Sequence, residues 1–404
     1  VAVLGARFTV RCVTFATRPS SGFVAYFTAS RLLCAGPEPS RFYDDAVFAT
    51  AVRRITPGVF DIFNVNPPTT SLLMLPFAGL GYPQARIAWT LLSLASVAAT
   101  CLFLLRESGL RGAWLAASIA LVLTFQPLAA NLAQGQAYGV LLGLLAVAWY
   151  GFRRRRDIPL GVALGLAGVL KTMGGLLWLL LLFERRWRSL AWAAATVLAV
   201  ALASLPWLGV DAWRTYLGHL PELASRPTIA VTAYQSLPGL LRHLLTLDVQ
   251  WSPNPLTAAP RLAALLGMAL AAAMIALPLY TALPKDERDL SFAGFVFAGL
   301  ALTPYSMDYH YTLALLPIFA LLPWVREQRR FLVWVVFIVA VVLIGADFPY
   351  RSPRLAAGAL ALLAYPKLAG ACLLWGLVVW GSWRSSSAAK TDNEPGDRRG
   401  APCA

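Results

Sequence analysis

Residues 331–344 read FLVWVVFIVAVVLI, a run without a single polar or charged side chain. Residues 176–183, LLWLLLLF, are another. Neither shows the period-two alternation of a half-buried strand or of a closed membrane barrel. Both have the continuity of helices that are apolar all round, as in a membrane. Outward from them, further apolar stretches lie near 84–105, 113–130, 137–152, 158–172, 174–183, 189–208, 260–283, 290–303, 311–325 and 357–381, with 331–345 among them. A straight span needs roughly 20 residues, so several of these are short. The pair 158–172 and 174–183 reads as two broken helices meeting at Gly174-Gly175. Such a break is tolerated only where backbone is buried or lines a cavity.

Composition agrees. The chain has 404 residues, 58% of them hydrophobic and 13% charged, with a mean hydropathy of +0.64. Soluble domains are about a quarter charged, which excludes a soluble globular protein. Aromatics at 12% exclude a disordered chain. The expected fold is all-α, a polytopic helical membrane protein with about 10–12 transmembrane helices. Three parts are expected. Residues 1–83 form an extracytoplasmic segment with short interfacial helices. Residues 84–383 form the transmembrane domain, with a long outer loop at 209–259. Residues 384–404 form a disordered cytoplasmic tail, rich in Pro, Gly and mixed charge. Residues 1–19, with Arg7, Arg11 and Arg18, make a poor span and read as a truncated first helix without a signal-peptide pattern.

The formal net charge is +15 and the pI about 10.1. Basic residues sit in short clusters between apolar runs, which argues against nucleic acid and for the positive-inside rule. Arg106 and Arg111, Arg153 to Arg156, Arg185, Arg186 and Arg188, Lys285 and Arg288, Arg326, Arg329 and Arg330, and Arg384 with Lys390 fall in alternate loops, expected to be cytoplasmic. The opposite loops include NLAQGQ at 131–136 and PYSMDYH at 304–310, which contain no Lys or Arg. A polar outer face opposite a basic anchoring face fits a membrane enzyme or a transporter. No internal repeat is visible, which weakens the transporter. The cysteines (Cys12, Cys34, Cys101, Cys372, Cys403) have no metal-ligand spacing.

The polar residues of the outer face carry what chemistry there is. Asp44 and Asp45 follow an aromatic, and Asp61 lies near others; each is either a solvated loop carboxylate or a general base at the membrane interface. Asn64 and Asn66 precede Pro67-Pro68, a turn signal. Asn131, Gln134 and Gln136 surround Gly135, and three amides exceed what one helix cap needs. Lys171 closes IPLGVALGLAGVL. A charge at membrane depth costs roughly 2.5–3.5 kcal/mol and marks function unless it snorkels. An ammonium there suits a phosphate. Gln235, Ser236 and Arg242 lie in TAYQSLPGLLRHLL, and Tyr305, Asp308 and His310 in PYSMDYHYTLALLP. There is no HExxH, Walker A or dinucleotide loop, so hydride chemistry and ATP-driven transport lack support.

Taken in order, SGFVAYFTASRLL, FYDD, NPPTTSLLMLP, NLAQGQ, the deep Lys171, AYQSLPGLLR and TPYSMDYHYTLALLP resemble glycosyltransferase family 87, from about Ser21 to Leu322. The resemblance implies a bacterial plasma-membrane protein of GT-C type. It implies a polyprenyl-phosphate sugar donor, typically mannose, and an inverting transfer to a glycan or glycolipid on the extracytoplasmic face. The family commonly carries an acid just before the Phe of the first motif; here that place is Gly22. Asn66 replaces a usual aromatic, and Tyr234 a common Asn. Displacing a lipid phosphate needs a base for the acceptor hydroxyl and groups that hold the departing phosphate. The expected base is Asp44 or Asp45, with Asp61 in reserve. Lys171 holds the phosphate with Arg242 as helper, and His310 binds phosphate or orients the acceptor. Asn64, Asn66, Asn131, Gln134, Gln136, Gln235, Ser236, Tyr305 and Asp308 are the expected sugar and acceptor contacts. No cofactor, metal or nucleic-acid partner is expected; membrane lipid is. The rival readings are a lipid-linked sugar flippase or transporter, or a catalytically impaired member of the family.

Overall fold

The computed structural model describes residues 1–36, 38–172, 174–281 and 288–391. Among them, regular structure is helical apart from one isolated bridge between Asp248 and Ser252. The protein is an all-α polytopic membrane protein. Three helices precede the bundle: α1 (Ala2–Thr17), α2 (Phe23–Ala35) and α3 (Asp45–Ile55). The stretch expected to be a poor first span is thus the helix α1, packed against the bundle through Cys12 and its neighbours. A 3-10 segment, Pro68–Phe77, then leads into α4 (Tyr82–Glu107), long and apolar enough to cross a membrane alone.

The expected spans resolve into unequal pieces. The stretch 113–130 is α5 (Gly112–Thr124) and α6 (Gln126–Gln134), bent by 40° at Phe125. Pro127 has no N–H to continue α5, and it sits in the first turn of α6, where that donor is not needed. Next come α7 (Tyr138–Arg153), α8 (Asp157–Lys171) and α9 (Gly175–Phe183). The break expected at Gly174-Gly175 is present: Thr172 and Gly174 both take positive φ, at 50° and 91°. Then α10 (Trp187–Ser225) kinks at Gly209 and continues as helix. The loop expected from residue 209 therefore begins as helix as far as Ser225, about four more turns, because one Gly with φ 66° redirects the chain without ending it.

The rest is α11 (Leu237–Leu245), α12 (Pro260–Thr281), α13 (Arg288–Leu302), α14 (Leu315–Glu327), α15 (Phe331–Gly345) and α16 (Pro366–Thr391). A 3-10 turn at Gly358–Ala364 meets α16 at 66°. Besides α4, the stretches Trp187–Leu223 and Pro260–Tyr280 are long and apolar enough to cross a membrane. Others, such as α7 and α15, are shorter apolar helices. Helix α16 runs to Thr391, so residues 384–391 of the expected tail are helical; Lys285 and residues 392–404 lie outside the described residues.

Helices α7 and α8 are antiparallel, and their sixteen and fifteen residues separate two ends by about 24 Å. At one end Arg153 pairs with Glu107 at 3.3 Å and Asp289 at 3.5 Å, and Arg186 with Asp157 at 2.7 Å. The basic clusters thus gather there. The other end, the end of α8 and the start of α7, holds the polar loops.

Candidate active site

At that second end a cavity of about 400 Å³ opens between α2, α7, α8 and α10. The NPPTT turn builds one wall. Thr69 and Thr70 donate their hydroxyls to the carbonyls of Val169 and Leu170, the latter at 2.7 Å. These are carbonyls that the end of α8 leaves without helical donors. The same turn places Asn66 Oδ1 2.6 Å from Lys171 Nζ. The Lys171 ammonium also lies 4.8 Å from the Tyr26 ring centroid and 5.9 Å from that of Tyr138. It is a cation held by one amide and two aromatic faces, without an ion pair of its own among the described residues.

Asp61 lines the same cavity. Its Oδ2 accepts the backbone N–H of Gly22 and its Oδ1 that of Ile62 at 2.9 Å. Burial pushes its carboxyl up from the usual range, opposed by those two N–H donors and by the Lys171 charge. Gln136 accepts from the Tyr26 hydroxyl. Its loop turns at Gly135, which has φ 63° and no room for a side chain: a Cβ there would run into Arg86 Nη1. Arg86, buried, donates to the carbonyls of Leu132 and Ala133 at 2.7 and 2.9 Å and so closes the C-terminus of α6. His310 accepts from Met307 N–H at its Nδ1, 3.0 Å away, which leaves Nε2 as the protonated nitrogen of the neutral ring. The ring stacks between Tyr138 and Tyr309, with centroids 4.4 and 4.6 Å away.

Of the residues singled out in the sequence, the cavity brings together Asp61, Asn66, Gln136, Lys171, Tyr305 and His310. The others have structural partners elsewhere. Asp44 caps α3, accepting from Ala46 and Val47 N–H. Asp45 is held by Asn64 Nδ2 at 2.9 and 3.0 Å and faces Arg226 at 3.9 Å. Asn131 accepts from Tyr138 N–H and fixes the start of α7, while the Gln134 carbonyl accepts from Ser20. Gln235 binds the carbonyls of Thr232 and Ala364, and Ser236 caps α11 and donates to the Pro304 carbonyl. Arg242 donates to the carbonyls of Ser225 and Arg226 at the end of α10. Asp308 turns away to Lys367. The sequence reading missed the aromatic wall of Tyr26, Tyr138, Tyr216 and Tyr309, and the lid that α10 supplies beyond Gly209 with Leu220 and Leu223.

A second cavity of about 340 Å³ adjoins the first and is lined almost wholly by apolar side chains, among them Leu141, Leu164, Leu177, Phe295 and Leu300. Thr172, Thr303 and Pro304 line both cavities. Fold and cavities define a polytopic membrane protein in which a polar, cation-bearing chamber stands beside an apolar one.

The chain belongs to glycosyltransferase family 87, whose model matches residues 64–304, more than half of the 404. It is 27% identical over 283 residues to the polyprenol-phosphate-mannose-dependent alpha-(1-2)-phosphatidylinositol mannoside mannosyltransferase of Mycobacterium tuberculosis, a match covering 65% of this chain and 63% of that one. It is 28% identical over 308 residues to the protein of the same name from Mycolicibacterium smegmatis, covering 72% and 67%. The match thus spans about two thirds of the length of these curated relatives. No solved structure matches.

Proposed function

We propose that the protein transfers mannose from a polyprenyl-phosphate donor to a glycolipid acceptor, with inversion, on the extracytoplasmic face of a bacterial membrane. The observation that carries this is the position of Lys171 at the junction of the two cavities: Thr172, the next residue, lines both. A polyprenyl-phosphate sugar has an apolar tail, a phosphate and a polar sugar in that order. The apolar chamber takes the first part of the tail, the ammonium the phosphate, and the polar chamber the sugar. The names of the two relatives support the donor and the kind of acceptor. Loops without Lys or Arg at the site's end, and the arginine clusters at the other, support the outer face.

Asp61 is the base in this proposal, ahead of Asp44 and Asp45. It lines the chamber, whereas Asp44 is used as a helix cap and Asp45 is held outside it. A carboxyl raised by burial is a better proton acceptor at neutral pH than an ordinary one. The acceptor hydroxyl gives its proton to Asp61 as its oxygen attacks the anomeric carbon, and the phosphate leaves with the bonding electron pair. Lys171 and the Nε2–H of His310 hold the negative charge that gathers on the departing phosphate. Asn66, Gln136 and Tyr305 offer hydrogen bonds to sugar hydroxyls. A single carboxylate suffices, because phosphate leaves without strong acid assistance. The experiment is a transfer assay with purified protein and a panel of polyprenyl-phosphate sugars against phosphatidylinositol mannosides. Transfer from the mannosyl donor alone is the expected result; vesicle-to-vesicle movement of the donor without transfer would replace an enzyme by a flippase.

A further inference from the structure

We propose that Lys367, on the far side of the outer loop 304–310, is a positioning residue that seats His310 through Asp308. The proposal rests on the assignment of His310 to the transfer site. Lys367 follows Pro366 in the first turn of α16, within the apolar run ALLAYPKLAGACLL, and is 1% exposed. A charge at that depth is costly and persists where it has a task. Its Nζ donates to the carbonyls of Ile344 at 2.9 Å and Ala346 at 3.3 Å, which end α15, and lies 3.5 Å from Asp308 Oδ1. A cation is well placed at a helix C-terminus. Its backbone N–H donates to Gln235 Oε1 at 3.2 Å.

Gln235 grips the same loop from the other flank. Its N–H donates to the Ser306 carbonyl at 2.7 Å, and its carbonyl accepts the Tyr311 hydroxyl at 2.6 Å. Ser306, Asp308 and Tyr311 are therefore each tied to the Gln235–Lys367 unit, while Met307, Tyr309 and His310, between them, face the cavity. The tethered and the cavity-facing residues alternate along Ser306–Tyr309, and His310 follows on the cavity side. Among the described residues the His310 ring has its hydrogen bond within the loop, to Met307 N–H, and packs against Tyr138 of α7. The anchoring of Asp308 sets the path of the loop that carries the ring to that contact. The ion pair supplies that anchor, and capping α15 alone would not require the carboxylate.

The test compares Lys367→Met and Asp308→Asn with the unaltered protein in detergent or nanodiscs. The first readout is carbethoxylation of His310 by diethylpyrocarbonate, resolved by peptide mass spectrometry and referred to His219 in the same molecule. His310 labelling is expected to rise several-fold in both variants, whether or not the assay finds transfer. The second is kinetic. Turnover at saturating polyprenyl-phosphate mannose should fall by about 10²-fold, the effect of losing one preorganised donor to developing charge, while donor KM stays nearly constant. If Lys367→Met fails to fold, Asp308→Asn decides the matter, since it leaves Lys367 capping α15. Native-level His310 labelling in folded Asp308→Asn overturns the proposal, as does undiminished turnover in a protein shown to transfer.

Discussion

The backbone N–H of Gly22 donates to a carboxylate oxygen of Asp61. The position at which the family commonly carries an acid is thus occupied here by a residue that holds another acid in the chamber. Gly22 has φ 85° and ψ −67°, and a Cβ there would meet Gln136 Nε2 at 2.5 Å and the Gln134 carbonyl at 2.8 Å. The site is arranged around the missing side chain.

Restoring an acid at that position should therefore fail. Gly22→Asp is expected to lower transfer and thermal stability together, the latter by about 1–3 kcal/mol for a strained backbone position. Thermal unfolding in detergent, alongside the transfer rate, measures both. A faster, equally stable Gly22→Asp protein would show that the chamber has room for the acid after all.

Asp61→Asn should depress turnover by about 10²–10⁴-fold, the usual contribution of general-base catalysis, with donor binding nearly intact. Asp44→Asn should keep near-native turnover, because Asn caps a helix about as well as Asp does. Asp45→Asn should keep it too. Single-turnover rates for the three variants, side by side, separate the chamber carboxylate from the two outside it.

The pH profile follows from the environment of Asp61. Its carboxyl is raised by burial and acts when deprotonated, so the rate should rise with pH through a limb above that of an ordinary aspartate. The Lys171 charge pulls in the opposite direction. In Lys171→Met that pull is gone, the carboxyl rises further, and the acid limb should move to higher pH, together with a larger donor KM. An unmoved limb in Lys171→Met would separate Asp61 from the rate.

Gly135→Ala tests the loop that carries Gln136. The new Cβ would collide with Arg86 and with Phe23 Cβ at 2.6 Å, in a backbone conformation that favours glycine. Lower thermal stability and lower transfer are expected together, whereas Gln136→Ala should lower transfer alone. Equal unfolding midpoints for Gly135→Ala and the native protein would contradict the close approach.

Topology is open to labelling. Val249, 91% exposed between α11 and α12, should as cysteine react with an impermeant maleimide in intact cells, in a background lacking the exposed Cys34. Arg155→Cys should react only after permeabilisation. The reverse pattern would invert the protein in the membrane.

Much of the fold is legible in the sequence, and what is not has physical causes. Apolar runs announced the helices, and Gly174-Gly175 announced the break, because lipid and backbone hydrogen bonding leave few alternatives. Lys171, His310, Asn66 and Gln136 stood out as polar groups beside apolar runs. In sequence Asp44 and Asp45 stand ahead of Asp61 as candidate bases; the structure uses Asp44 as the cap of α3 and puts Asp61 in the cavity lining. Tyr26, Tyr138 and Tyr216 were invisible as site residues, since an aromatic facing a cavity and one facing lipid look alike in sequence. Lys367 shows in sequence only as a lone charge inside the apolar stretch 357–381.

The helix α8 stops at Lys171 because Thr172 turns left-handed. The height of the ammonium is thus set by where one helix ends. One residue inserted in α8 would turn its last side chain by about 100° and lift it by about 1.5 Å. Thr69 and Thr70 clamp the neighbouring carbonyls against that slippage. In the proposed reaction the end of α8 acts as a depth gauge: it would fix the level at which a phosphate rests, and so which bond of a long amphiphile is presented to Asp61.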